Sequence, residues 1–64
     1  MKGTVQWYDI RKGFGFIRGE DGRKVFVHKT AIPFFDIYLE PGQHVEYNLG
    51  TSQRGPQAID VKKL

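Results

Sequence analysis

The chain contains no cysteine. No disulfide can tie it together and no thiolate can hold a metal. A chain without cysteine suits a reducing compartment, and a cytoplasmic location is expected. No apolar run approaches the roughly eighteen residues that a membrane span requires. The opening residues Met1-Lys2-Gly3-Thr4 run straight into a strand-like segment, without the apolar stretch of a signal peptide. Helical periodicity, internal repeats and low-complexity tracts are all missing. Ser52 is the only serine and lies in a polar stretch with no positioned base indicated. The two histidines, His28 and His44, have no metal-ligand spacing. Gly13-x-Gly15 is followed neither by Gly-Lys-Ser/Thr nor by a helix, so it is not a phosphate loop. Catalysis, a cofactor, a metal and a small-molecule substrate are therefore not expected.

What is present makes one small domain over residues 1–64. Sixty-four residues leave no room for a second core, and a chain of this size buries only about 60% of its unfolded surface. Ten Lys and Arg against seven Asp and Glu give a net charge of +3. That mild excess favours polyanions without demanding them, so the placement of the charges matters more than their sum.

Five segments read as strands: 4–8, 13–18, 24–28, 44–49 and 57–62. Gly19-Glu20-Asp21-Gly22 is a hairpin turn between the second and third. In the fourth, Val45, Tyr47 and Leu49 share the inward parity; in the fifth, Ile59 and Val61 do. Residues 50–56 form a polar loop that carries Arg54. Short strands separated by Gly and Pro turns predict an all-β fold, and at this length a small closed or nearly closed barrel best disposes of the strand edges.

The central strands sort their side chains unusually. Successive residues of a strand point to opposite faces. In Lys12-Gly13-Phe14-Gly15-Phe16-Ile17-Arg18, one face carries Lys12, Phe14, Phe16 and Arg18 while Ile17 lies opposite. In Lys24-Val25-Phe26-Val27-His28, Lys24, Phe26 and His28 share a face opposite Val25 and Val27. Turning the phenylalanines inward would bury Arg18, Lys24 and His28 with them and expose the valines. Unpaired buried charge costs several kcal/mol, so the opposite register is expected. The result is a platform of rings edged with cations, which suits unpaired bases: flat faces stack on rings while cations meet phosphates. Gly13 and Gly15 leave the other face of their strand nearly bare, which allows tight curvature and close backbone approach.

Trp7 shares parity with Val5, which sends it inward, yet Tyr8 and Ile10 on the other parity also call for burial. A bulge near Gln6-Trp7 would put Val5 and Tyr8 inside and leave Trp7 outside. The pattern alone admits both placements.

Gly3-Thr4-Val5-x-Trp7-Tyr8, Lys12-Gly13-Phe14-Gly15-Phe16-Ile17, Val25-Phe26-Val27-His28, Thr30-Ala31-Ile32 and Arg54-Gly55-Pro56-Gln57-Ala58 together resemble the cold-shock domain, from Lys2 to Leu64. The two middle runs look like the family's ribonucleoprotein motifs. The resemblance implies a five-stranded antiparallel OB-fold barrel that binds single-stranded RNA and DNA and is often called an RNA chaperone. Every base has a π-face, so slight sequence selectivity is expected, and so is a monomer. Trp7, Phe14, Phe16, Phe26 and His28 would stack bases, Lys12 would meet the phosphate backbone, and Arg54 would reach in from the last long loop. Tyr8 matches a largely buried position. Gln6 stands where many members have Lys, so one backbone contact becomes a neutral hydrogen bond.

Three departures matter. Lys29 follows His28 where bacterial members usually place Phe. Arg23-Lys24 precede Val-Phe-Val-His where two acids are common, so with Arg18 the platform edge is basic. Pro33-Phe34-Phe35-Asp36-Ile37-Tyr38 replaces a Gly-rich loop that usually offers one Phe. Phe35, or else Phe34 or Tyr38, is expected to supply the missing ring. Alternatively the cluster packs on the barrel end or meets a second copy, giving a dimer through residues 33–38. A rival reading is a small β-barrel protein-interaction module for proline-rich peptides. That use calls for acids facing basic flanks, and this face is basic. A structural barrel within a larger assembly would show only weak binding to free oligonucleotides.

Overall fold

Valine, isoleucine and aromatic residues at alternating positions favour extended backbone, and the chain is built almost entirely of strands. The computed structural model describes residues 1–33 and 38–64. It has β1 (Lys2–Asp9), β2 (Phe14–Gly19), β3 (Lys24–His28), β4 (His44–Ser52) and β5 (Gly55–Lys63). The one helical element among these residues is a 3-10 turn, Lys29–Ala31. The strands close into a barrel in the order β1-β2-β3-β5-β4, the expected all-β architecture. Pairing is antiparallel at four seams. The fifth is a short parallel seam, with Phe26 opposite Gln57 and Val27 opposite Ala58. No helix among the described residues is long and apolar enough to cross a membrane.

The bulge that the sequence left open is present in β1. Val5 pairs with Ile17 and Trp7 with Phe16, so β1 advances two residues where β2 advances one. Val5 and Tyr8 consequently both point inward, while Gln6 and Trp7 both point outward. The core comprises chiefly Val5, Ile17, Val25, Val27, Val45, Tyr47 and Val61, with Leu39 and Ala58. Gly15 lets β1 and β2 approach there: a Cβ at this position would collide with the Trp7 carbonyl oxygen and lie 2.7 Å from Tyr8 Cα. Burial pushes the Tyr8 hydroxyl above the usual tyrosine range. It does the same to Tyr47, helped by the negative charges of Asp21 and then Glu20.

The last two strands correct the expected pattern. Residues 50–56 are not a loop: β4 continues to Ser52 and β5 begins at Gly55, with only Gln53 and Arg54 between them. Gly55, at φ 104°, supplies the left-handed residue this tight reversal needs. Ile59, expected inside, is 43% exposed. Glu46 pairs with Lys62 and Asn48 with Ile59, so β5 carries one extra residue there. Asp60 absorbs it at φ 53°, a left-handed conformation that Asp tolerates better than most residues. The parity of β5 thereby switches, and Ala58 and Val61 fill the core. Leu49 keeps its inward parity but is exposed. The β1–β4 seam ends at Glu46, and beyond it Leu49 lies on the part of β4 that pairs with β5 alone. Ile10 is likewise exposed, because it falls in the turn after β1.

Candidate nucleic-acid interface

Registers across three seams place outward side chains in rows. Trp7 pairs with Phe16, Phe16 with Phe26 and Phe26 with Gln57, which makes one continuous row from β1 to β5. Asp9, Phe14 and His28 form the next row, and Arg18 opposite Lys24 lies on the other side. The inward row between the first two is Tyr8, Gly15, Val27 and Ala58, so the same registers build core and platform on opposite faces.

The rings touch. Trp7 meets Phe14 and Phe16 edge-on, with centroids 5.6 Å apart in both cases. Phe26 stacks on Phe14 at 5.7 Å and meets Phe16 edge-on at 5.8 Å. His28 lies tilted 6.5 Å from Phe26. Two cations lie over this surface: Lys24 Nζ is 4.4 Å from the Phe16 centroid, and the Arg54 guanidinium carbon is 4.9 Å from that of Phe26. Trp7 is 41% exposed and Phe14 and Phe16 are half-buried. Phe26 is not open as the platform reading expected; it is 7% exposed although it lies outside the core cluster. Its cover is the platform itself, namely Phe14, Phe16, His28 and Arg54.

The rest of the expected set divides. His28 is held by its neighbours: the Thr30 backbone N–H donates to Nδ1 at 3.3 Å, and the Thr30 hydroxyl lies 3.0 Å from the same nitrogen. Lys29 donates its backbone N–H to the Gly13 carbonyl at 2.8 Å. Its aliphatic stem lies over Gly13, where Cδ would be 2.8 Å from an added Cβ. Lys12 is exposed in the turn beside Phe14. That turn is tied down by Asp9, whose Oδ1 accepts from the N–H groups of Arg11 at 2.9 Å and Lys12 at 3.1 Å. Gln6 and Arg18 line a shallow groove with Trp7 and Lys24. Among the described residues Tyr38 meets none of the platform rings: it packs edge-on against the core residue Tyr8 at 6.1 Å. Phe35 and most of the loop invoked for a dimer lie outside the described residues.

Sequence reading missed Gln57, which ends the ring row, and Ser52 and Gln53, which with Arg54, Phe26, His28 and Gln57 line a groove of about 340 Å³. Parity counted from the expected inward Ile59 would have turned Gln57 inward as well; it faces out because the extra residue in β5 puts Ala58 in the core instead. Among the described residues no group of three or more His, Asp or Glu is placed to hold a metal.

A small closed β-barrel presenting clustered rings under cations belongs to the class of barrels that bind nucleic acids. The family model of the 'Cold-shock' DNA-binding domain matches residues 1–64. The chain belongs to that nucleic-acid-binding family. It is 53% identical to the cold shock-like protein CspC of Bacillus cereus over a 66-position alignment that covers 100% of both chains. Identity to the major cold shock protein of Streptococcus pyogenes serotype M6 is 47%, over 98% of this chain and 96% of the relative. With cold shock protein 1 of Lactiplantibacillus plantarum it is 52%, over 92% and 91% respectively.

Proposed function

We propose that this domain binds single-stranded RNA and DNA by base stacking, with little sequence preference, and acts as a monomeric RNA chaperone. The observation that carries the reading is the continuous outward row Trp7–Phe16–Phe26, flanked by Phe14 and His28 and overlain by Lys24 and Arg54. Every base has a π-face, and a base stacked on a ring is worth about 1–3 kcal/mol by truncation. Duplexes hide those faces, so only opened strands can use the platform. Binding the open form shifts melting by mass action, with no nucleotide hydrolysis. The role is one of binding and not of catalysis.

Trp7, Phe14, Phe16, Phe26 and His28 stack bases in this reading. Lys12, Arg18, Lys24, Lys29 and Arg54 attract phosphates, and Gln6 offers a neutral hydrogen bond. Tyr38 contributes at the margin only, since it packs on Tyr8. The names of the relatives support a part in the cold-shock response; in this reading the domain acts in the cytoplasm, on transcription or translation.

The test is a tryptophan fluorescence titration with a short oligo-dT at two salt concentrations, beside a matched hairpin duplex. Trp7 is the only tryptophan, so the probe sits in the ring row. Quenching by the single strand alone, weaker at high salt, is the expected result. Equal response to the duplex, or no response at all, overturns the reading.

A further inference from the structure

Arg18 and Lys24 stand directly opposite each other across the β2–β3 seam, and both are exposed. Like charges at opposed positions of a strand pair are destabilising. Among the described residues no carboxylate lies within 4.0 Å of either cation to offset this. The neighbouring arginine differs, since Arg23 has Asp21 at 3.6 Å. Lys24 leans diagonally onto the ring row, over Phe16. The pair borders a groove of about 300 Å³ whose other walls are Gln6, Trp7 and Gly22. The β1 bulge that turns Trp7 outward turns Gln6 outward with it, so its side chain lines the groove beside the two cations. Nothing stands within 4 Å of the missing Cβ of Gly22, which keeps that side open. No acid lines the groove.

Two unneutralised cations and an amide suit a compact anion with several acceptor oxygens. The position, one row beyond the rings and against Trp7, puts that anion on the path of a strand leaving the platform. We propose that this groove is a phosphate subsite: Arg18, Lys24 and the Gln6 amide hold a phosphodiester of the strand past Trp7. The site takes backbone and not base. The proposal rests on the ring row being the stacking site, and its test separates the two.

Binding would be measured calorimetrically for an oligo-dT of about four nucleotides, the lower end of the site size for such barrels. The same oligomer would then carry an abasic phosphodiester tail at one end or the other. With the native protein, a tail at one end should raise affinity and one at the other end should not. In Arg18→Gln and in Arg18→Gln/Lys24→Gln that gain should vanish. The slope of log K against log salt for the tailed oligomer should also become shallower, by about 0.7 for each phosphate that is no longer neutralised. Without any oligomer, Arg18→Gln should melt higher than the native protein at low salt, because the repulsion is relieved; this also shows that the variant folds. Inorganic phosphate at matched ionic strength supplies the other arm. If it raises the melting temperature but neither tail adds affinity, the groove takes free phosphate and the strand subsite is wrong. A tail gain that survives in the double variant overturns the proposal as well. Failure of the untailed oligomer to bind the native protein would instead overturn the stacking reading on which it rests.

Discussion

The guanidinium carbon of Arg54 lies 4.9 Å from the centroid of Phe26 and 5.9 Å from that of Phe14. The cation thus occupies the face on which a base would stack. It reaches that place because β4 and β5 reverse over only Gln53 and Arg54, and because β5 runs beside β3. Arg54 therefore has two effects of opposite sign, attracting phosphate and occluding a ring. Arg54→Ala should cost about 0.5–1 kcal/mol of fold stability, the size of an exposed cation–π contact. Its binding to oligo-dT should be weaker than native at low salt, with the difference closing as salt screens the phosphate attraction. Titrations at several salt concentrations check this, and a deficit that grows with salt would contradict the occluding role.

Phe14→Ala should weaken oligo-dT binding by about 1–3 kcal/mol with the fold retained. Phe26→Ala should lose binding too, but at a cost to stability, because its ring is covered on the side of the platform. The pair is best read together, with urea unfolding beside each titration. Equal destabilisation in both variants would show that Phe14 is a packing residue.

Gly15→Ala should destabilise the barrel by about 1–3 kcal/mol or more, the range for overpacking. The new methyl would meet the backbone of Trp7 and Tyr8, which cannot move without disturbing the bulge. Gly50→Ala is the control: its Cβ would find its nearest atom at 3.6 Å, an ordinary contact. Urea denaturation should separate the two clearly.

Tyr47 is buried, and among the described residues its hydroxyl has no hydrogen-bond partner. An unpaired buried polar group costs about 1–3 kcal/mol, part of which Tyr47→Phe should recover as added stability. Burial and the charges of Asp21 and Glu20 raise the hydroxyl's pKa in the folded state. The folded chain then holds its proton more tightly than the unfolded chain does. Stability from this source is complete below the unfolded tyrosine value of about 10 and is lost as pH rises past it toward the folded value. Tyr8 acts in the same direction. Melting temperatures from pH 8 to 11 should fall less steeply for Tyr47→Phe, and a parallel decline would show that Tyr47 ionises alike in both states.

Much of this was legible in one dimension. Strand alternation and the cost of burying Arg18, Lys24 and His28 decided by themselves that Phe14, Phe16 and Phe26 face outward and Val25, Val27 and Ile17 inward. Short strands whose edges need closing, with the motif resemblance, identified the barrel, and the cost argument gave its basic rim. Parity is a local property, so a local pattern carries it wherever no residue is inserted. Tertiary structure decided the rest. The extra residues at Gln6 and near Asp60 shift parity in mid-strand, which is why Trp7 was undecided and Ile59 was expected on the wrong side. Which rings touch and how Arg54 covers Phe26 depend on register between strands distant in the chain. Those relationships arise from closing the barrel, where pairing and packing energies across seams outweigh any preference that a single strand expresses alone.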